Sequence, residues 1–414
     1  MVDNQINTAI ADESFLKAIP KTDLHVHMDG SLRLSTLVEL ARQQNVTLPS
    51  FSEEGLHTLV FKDNYNSLDE YLKGFAYTCS VLRDKEAIER VAYELAVDNQ
   101  EEGVRYIEVR FAPQLFMNAG LTFEEIMSAC NRGLERAKNE FNARDEVRAQ
   151  KEPHFNYGII VCAMRFFTGA FSPFYDAFYK SHQYSESLEI INLASQELVK
   201  AAVNMVKNTG IPIVGVDLAG SEAGYPAENH RLAYNIAHSN FLHKTVHAGE
   251  AYGPESIFQA ITILHADRIG HGFYLFDDTK VFDEKNRLQA KTYVKNLVRY
   301  IANKRITLEV CPTSNLQTNP ELKQNIRKHP FGRMMEETLS VTVCTDNRLV
   351  SKTTVTNELA LLLRNFPLTL HQLKNIITYG FKRSFYPGSY TEKRQYVRDI
   401  LVYFDKIVND NKIG

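Results

Sequence analysis

The sequence has no run of about 18 apolar residues, which is the length that a membrane-spanning helix needs. Its first stretch, MVDNQINTAIADESF, is polar and acidic and lacks the apolar core of a signal peptide. These two absences predict a cytoplasmic protein with no membrane partner.

Cysteine is also scarce, and the five cysteines are Cys79, Cys130, Cys162, Cys311 and Cys344. An odd number without close spacing argues against a disulfide framework and against a CxxC zinc site. The last three lie within apolar runs, so we interpret them as small buried side chains.

Positive charge is not in excess, because 47 lysines and arginines face 50 aspartates and glutamates, for a formal net charge of -3. We therefore expect no nucleic-acid partner. The hydrophobic fraction of 44% is that of an ordinary globular protein, and the chain shows no linker or repeat. The sequence predicts one domain over residues 1–414 and leaves protein partners and oligomeric state open.

Eight short β-rich runs recur along the chain, and most are followed by a segment of helical periodicity. The runs begin at Thr22, Arg105, Tyr157, Ile213, His243, Arg268, Thr307 and Ser340. This alternation implies parallel strands with right-handed crossovers, so the predicted fold is an α/β (β/α)8 TIM barrel. About eighty residues separate the first two runs, which predicts additional helices there, and further helices are expected at the C-terminus.

One predicted helix after the first strand carries an apolar stripe of Leu68, Tyr71, Leu72 and Phe75, with the spacing of one helix face. The stripe has two equally supported interpretations. It packs on the barrel, or it forms a mobile lid over the site.

Polar residues collect at the ends of the predicted strands, where the catalytic loops of barrel enzymes lie. They are His25 and His27, Asp217 and Gly220, His247 and Glu250, His271, and Asp346 with Asn347. Residues i and i+2 of a strand point the same way, so His25 and His27 can bind one ion together. With His247 and Asp346 they offer three imidazoles and one carboxylate, a set that suits zinc with water in the remaining position.

The remaining histidines lie mainly in helical or loop segments and are interpreted as surface or packing residues. They are His57, His154, His182, His230, His238, His243, His265, His329 and His371.

Six fragments, PKTDLHVHMDGSL, DLAG, HAGE, RIGHG, CPTSN and CTDN, resemble those of the adenosine deaminase family in order and rough spacing. The resemblance extends from about Ile19 to Ser384. It implies that His25, His27, His247 and Asp346 bind one zinc ion and that Glu250 is the proton-donating acid. It also implies that His271 orients the attacking water and helps to deprotonate it.

The same resemblance implies a purine nucleoside as the small-molecule substrate. Asp29 would contact the ribose 5′-hydroxyl, the Gly220 amide ring nitrogen 3, and Asn347 ring nitrogen 7, while His27 would border the substrate as well as the metal. The sequence departs from the commonest family pattern at Asn347, where many members have a second aspartate. An asparagine amide is always a donor, so the hydrogen bond to ring nitrogen 7 is preserved.

The chemistry of deamination explains these residue types. An aromatic amine is a poor leaving group, and attack at ring carbon 6 breaks aromaticity. Zinc lowers the pKa of a bound water toward 7 and so supplies hydroxide at neutral pH. A carboxylic acid at ring nitrogen 1 must be protonated, which requires a raised pKa in a closed site. Glu250, three residues beyond His247, is suitably located.

The sequence therefore predicts hydrolytic deamination of adenosine and 2′-deoxyadenosine. Adenine deaminase is the alternative, although HVHMDG has the shorter Asp29 where enzymes of free bases typically have glutamate. The PCxxC motif of the other zinc nucleoside deaminases is absent. A phosphotriesterase-like hydrolase and a non-catalytic purine-binding protein are weaker alternatives, because no second metal site is evident and no expected ligand is missing.

Overall fold

The computed structural model describes residues 10–281 and 287–413. Its strands are Lys21–His27 (β1), Val104–Phe111 (β2), Asn156–Met164 (β3), Ile213–Ala219 (β4), His243–Ala248 (β5), Arg268–His271 (β6), Thr307–Val310 (β7) and Ser340–Val343 (β8). Each contains one of the eight β-rich runs of the sequence. The strands are short and rich in β-branched residues, as is typical of a sheet that is covered on both faces.

The eight strands pair in chain order, and all of the pairs are parallel. Two backbone hydrogen bonds join the last strand end to the first: the His27 amide donates to the Asp346 carbonyl at 2.7 Å, and the Asp346 amide donates to the His25 carbonyl at 2.8 Å. The sheet thus curls into a nearly closed barrel. The predicted (β/α)8 fold is confirmed.

The helices surround this barrel. They are Glu13–Ala18 (α1), Leu34–Gln43 (α2), Glu53–Leu59 (α3), Leu68–Leu72 (α4), Phe75–Ser80 (α5), Lys85–Glu101 (α6), Phe123–Asn142 (α7), Asp145–Arg148 (α8), Pro173–Ser181 (α9), Ser187–Thr209 (α10), Arg231–Ser239 (α11), Pro254–Thr262 (α12), Arg287–Lys304 (α13), Pro312–Thr318 (α14), Phe331–Glu336 (α15), Val355–Asn365 (α16), Leu370–Arg383 (α17) and Tyr390–Asp410 (α18). Within the described ranges, no helix is long and apolar enough to cross a membrane.

The additional helices lie where the sequence predicts them. Helices α2 to α6 occupy the connection between β1 and β2, and α16 to α18 follow β8. The apolar stripe that begins at Leu68 is not one helix but two, α4 and α5, which are separated by Lys73 and Gly74. Its side chains pack against the core and also line a cavity of about 1240 Å³, so this segment covers one side of that cavity.

Candidate active site

Four of the predicted site residues meet at the carboxyl end of the barrel. His25 and His27 come from β1, His247 from β5, and Asp346 from the turn after β8. One ligand atom from each lies within 4.8 Å of the others. The Nε2 atom of His247 is 3.0 Å from that of His25 and 3.2 Å from that of His27. Ligands at 2.0–2.1 Å around a tetrahedral ion are separated by about 3.3 Å, so the spacing suits a single metal ion.

The outward nitrogens of two of these imidazoles are held by carboxylates. His25 Nδ1 is 2.8 Å from Glu309 Oε2, and His247 Nδ1 is 3.0 Å from Asp217 Oδ2. An ionised carboxylate only accepts hydrogen bonds, so each Nδ1 carries the proton. In a neutral ring, the Nε2 atom that faces the cluster then offers a lone pair.

An ion network beneath the cluster keeps those carboxylates charged. Arg110 is 2.9 Å from both Asp217 and Glu309, and Arg268 Nε is 2.6 Å from the second oxygen of Glu309. Burial alone would raise the pKa of Glu309, but the two guanidinium groups hold it well below its usual value. All four side chains lie inside the barrel and are buried.

These donors fit a metal ion. When both rings are neutral, their two Nε2 lone pairs 3.0 Å apart repel each other unless a cation lies between them. The Asp346 carboxylate adds a negative oxygen on the same side, because its Oδ1 lies 3.5 Å from both His25 Nε2 and His27 Nε2. Its other oxygen accepts a hydrogen bond from Ser314 at 2.7 Å, which fixes the orientation of the carboxylate.

The backbone at this rim turns sharply to present the side chains. Asp346 and His271 both have a φ of 62°, in the left-handed region that non-glycine residues rarely adopt. Gly270 provides room for His25, since a Cβ there would lie 2.9 Å from the imidazole Cε1. Strain and close approach of this kind are typical of functional sites.

Glu250 lies in the loop after β5, beside the cluster. Its Oε1 is 3.6 Å from Nε2 of His271, the last residue of β6. Burial raises the pKa of Glu250 to about 8, and the negative charges of Asp346 and Glu222 act in the same direction. A pKa raised in this way favours the protonated form of the carboxyl group at neutral pH.

Glu222 fixes the loop that carries Glu250. Its carboxylate accepts hydrogen bonds from the backbone amides of Gly249, Glu250, Ala251 and Tyr252, at 2.7 to 2.9 Å, and from the Ser256 hydroxyl. One buried carboxylate thus satisfies four successive amides and stabilises the position of the acid.

The cluster opens into a cavity of about 1240 Å³. The predicted substrate residues Asp29, Gly220 and Asn347 all line it, as do α4 and α5. Asp29 lies in the 3-10 turn Met28–Gly30, and burial raises its pKa to about 7. Gly220 follows β4 with a φ of 95°, a conformation that favours glycine.

Asn347 is held by the segment that covers the cavity. Its Nδ2 donates to the Tyr71 hydroxyl at 2.8 Å, and that hydroxyl is 2.7 Å from Ser351 Oγ. Gly30 leaves room for the amide, since a Cβ there would lie 1.8 Å from Asn347 Oδ1. The second amide hydrogen remains available to a ligand.

Several residues that shape this site have no catalytic or binding role in the sequence-based interpretation: Arg110, Asp217, Glu222, Arg268, Glu309, Tyr71, and Asn315 with His329, which are hydrogen-bonded behind His271. For three charged residues within strands, Arg110, Arg268 and Glu309, the sequence does contain a signal of their importance. Arg110, Arg268 and Glu309 are charges within strands that a closed barrel buries, and such charges must be paired. Asn315 belongs to the CPTSN fragment, whereas nothing in the sequence distinguishes His329 from the surface histidines.

A cluster of imidazoles and a carboxylate, open to a deep cavity at the catalytic end of a barrel, defines the class of metal-dependent barrel hydrolases. Comparison with known proteins narrows this class. The model of the family described as adenosine deaminase matches residues 20–173 and 185–401. Adenosine deaminase 1 of Streptomyces coelicolor is 35% identical over 93% of this chain and 87% of its own. The chain is an enzyme that belongs to the adenosine deaminase family.

Solved structures agree with the fold. The Arabidopsis N6-mAMP deaminase superposes with a TM-score of 0.69 at 25% identity, over 95% of this chain and 99% of that one. The adenine deaminase of Arthrobacter aurescens superposes with a TM-score of 0.72 at 20% identity, over 94% and 100%. At 20% identity, the resemblance to the adenine deaminase shows only that the two proteins share the barrel fold.

Proposed function

We propose that this enzyme hydrolyses adenosine and 2′-deoxyadenosine to the corresponding inosine nucleoside and ammonia, with one zinc ion per chain. The observation that carries the proposal is that a cluster of three imidazoles and a carboxylate lines the same cavity as Glu250, whose pKa is raised by burial. Family membership supports the same reaction. Because the site draws on strands from β1 to β8, we further propose that residues 1–414 act as one domain.

His25, His27, His247 and Asp346 would hold the metal ion. Three neutral imidazoles and a carboxylate are ligands that zinc accepts readily. When bound, the ion lowers the pKa of water toward 7, which provides a nucleophile at neutral pH. Glu309 and Asp217 keep His25 and His247 in the tautomer that such binding requires.

Glu250 is the proposed acid. Addition of oxygen to ring carbon 6 is favoured when ring nitrogen 1 receives a proton at the same time, because the purine then carries no negative charge. The raised pKa of Glu250 keeps this proton available, and the clamp by Glu222 holds the carboxyl group in place. His271, 3.6 Å from Glu250, borders the attacking water.

The purine and ribose would be recognised by further groups that line the same cavity. We propose that Asn347 donates its free amide hydrogen to ring nitrogen 7 and that the Gly220 amide donates to ring nitrogen 3. Asp29 would bind the ribose 5′-hydroxyl, and His27 would border the substrate beside the metal. The buried, unpartnered Oδ1 of Asp29 supports its role as a hydrogen-bonding group for a ligand.

An ammonia-release assay with adenosine, 2′-deoxyadenosine, adenine and AMP tests the proposal. We expect the two nucleosides to be deaminated with much higher kcat/KM than the base or the nucleotide. A Glu250→Gln preparation, purified in parallel, controls for contaminating deaminases. Preference for adenine would establish the alternative, and inactivity on all four compounds would refute the proposed function.

A further inference from the structure

A chain of buried hydrogen bonds leads from a backbone amide to His271. The amide of Phe331 donates to Nδ1 of His329 at 3.0 Å. His329 Nε2 is 3.1 Å from Asn315 Oδ1, and Asn315 Nδ2 is 3.2 Å from His271 Nδ1. His329, Asn315 and His271 are each at most 3% exposed.

The backbone amide determines the direction of every bond in this chain. It can only donate, so Nδ1 of His329 carries no proton. Burial lowers the pKa of His329 to about 3, so the ring is neutral and its single proton is on Nε2. That proton must be donated to Asn315, which identifies the amide oxygen and removes the usual ambiguity of an asparagine flip.

The amide nitrogen of Asn315 therefore faces His271 and donates to its Nδ1. A proton on that Nδ1 would point at the N–H of the amide, so the ring is held neutral with its proton on Nε2. Nε2 is buried, has no hydrogen-bond partner within the described protein, and lies on the side of Glu250. It is directed at the reacting groups.

We infer that Asn315 and His329 are positioning residues that fix His271 as a hydrogen-bond donor, through Nε2–H, to the oxygen that adds to ring carbon 6. The inference rests on the proposed function and deepens it. It differs from the role implied by family resemblance, in which His271 helps to take a proton from the water. A donor in this position stabilises the negative charge that develops on the oxygen. Removal of one such donor typically lowers kcat by about 10²–10³.

The tautomer can be observed directly. In the metal-loaded enzyme with ¹⁵N-labelled histidine, the His271 signals are assigned by comparison with His271→Ala. We expect Nε2 to carry the proton and Nδ1 to show the shift of an acceptor. A proton on Nδ1 in the resting enzyme would overturn the inference, whatever the substrate of the enzyme proves to be.

Asn315→Asp separates the two roles because they predict opposite results. A carboxylate accepts from both neighbours, so the proton of His271 moves to Nδ1 and Nε2 becomes a bare acceptor. If His271 is a donor, kcat for adenosine falls by about 10²–10³ while KM changes much less, with metal content retained. If His271 is a base, the same variant keeps kcat within about threefold of wild type, which would refute the inference.

A pair of variants at His329 tests the remote end of the chain. Gln at this position can still donate to Asn315, whereas Leu cannot. We expect His329→Gln to retain clearly more kcat than His329→Leu, which leaves the Asn315 amide free to rotate. His154→Leu is the matched control, because it removes an imidazole that packs against Tyr396 and takes no part in this chain of hydrogen bonds. Wild-type kcat in both His329 variants would contradict the inference.

The tautomer measurement is independent of the substrate assignment, whereas the kinetic tests of Asn315 and His329 require an active enzyme. If the wild-type enzyme deaminates none of the four purines, the proposed function fails, and the tautomer measurement still decides the inference. If it deaminates adenosine but Nδ1 carries the proton, the inference fails alone.

Discussion

The two sides of the site differ in how far the protein satisfies its own polar atoms. On the metal side, His25 and His247 each bind a buried carboxylate through the nitrogen that faces away from the cluster, although Arg110 Nε in the network beneath them has no hydrogen-bond partner in the described protein. On the purine side, the part of the cavity proposed to bind the substrate, Asp29 Oδ1 and His271 Nε2 are buried without a hydrogen-bond partner in the described protein. Unpaired buried polar atoms are costly, and a ligand that pairs them recovers that cost on binding.

This difference between the two sides corresponds to two tasks, the binding of a metal ion and the selection of a substrate. The metal side must hold a fixed geometry at all times, so its side chains are locked by an ion network inside the barrel. The purine side must discriminate between ligands, which it does best when an incorrect ligand leaves a buried group unpaired. Mutations on the two sides should therefore have different signatures, in metal content on one side and in substrate preference on the other.

The largest effect is expected on the metal side. His247→Ala removes the imidazole that lies nearest to both other histidines. Metal content should fall from about one ion per chain to well below it, and activity should be lost with it. Elemental analysis alongside the deaminase assay measures both. Full activity after exhaustive chelation, in protein shown to be free of metal, would contradict a metal-dependent mechanism.

Glu250 lies between the metal side and the purine side of the site. The substitution Glu250→Gln should affect only turnover. The amide can occupy the same space but cannot pass a proton to ring nitrogen 1, so kcat should fall by about 10²–10⁴. Metal content and binding of the purine should be retained, as elemental analysis and a binding titration would show. Another group must be the acid if the variant keeps more than about a tenth of wild-type turnover.

Asn347→Ala is the corresponding test of the purine side. It leaves ring nitrogen 7 unpaired in a closed site, which costs about 1–3 kcal/mol, or roughly 5- to 150-fold in kcat/KM. Metal content should not change. The substrate 7-deazaadenosine has carbon at that ring position, so the wild type should discriminate against it and the variant should lose most of that discrimination. Equal discrimination by the two proteins would show that Asn347 does not bind ring nitrogen 7.

Asp217→Asn should give a smaller effect on the metal side. The amide oxygen can still accept from His247 Nδ1, but the negative charge shared with Arg110 is lost. Metal affinity should fall by about 10- to 100-fold, measured by competition with a chelator, while discrimination against 7-deazaadenosine stays as in the wild type. Asp267→Asn is the matched control, because it removes a carboxylate next to Lys244 at the opposite end of β5. Unchanged affinity in Asp217→Asn would show that this carboxylate does not tune the site.

The barrel and the position of its reactive end could be predicted from the sequence for a definite reason. In a parallel barrel every strand is a short apolar run, and every catalytic loop follows such a run, so the polar residues after the runs identify the site. His25, His27, His247 and Asp346 follow this rule, and the structure brings them together. Their roles, like those of Glu250 and His271, stay predictions until they are tested.

What could not be predicted depends on contacts between distant parts of the chain. Glu309 faces Arg110 and Arg268 across the interior, and no local pattern pairs residues on different strands. His329 lies in an irregular segment and gains its importance only by contact with Asn315. The break at Lys73 and Gly74 divides a regular apolar stripe, although both residues keep right-handed helical backbone angles. The lid interpretation of this segment stays a prediction.

The two hydrogen bonds that join β1 to the end of β8 run through the backbones of His25, His27 and Asp346. Nearby, the Thr345 hydroxyl donates to Asp23, which is 322 residues earlier in the chain. Asp346, the last of the four proposed ligands, thus reaches the cluster only when the first and last strands meet. The contacts between these two strands are among the most distant in sequence that the chain forms during folding. A nascent or partly folded chain would hold two histidines without their partners, so high-affinity capture of metal is deferred until the catalytic scaffold is complete. Metal uptake during refolding would then report the final step of barrel assembly.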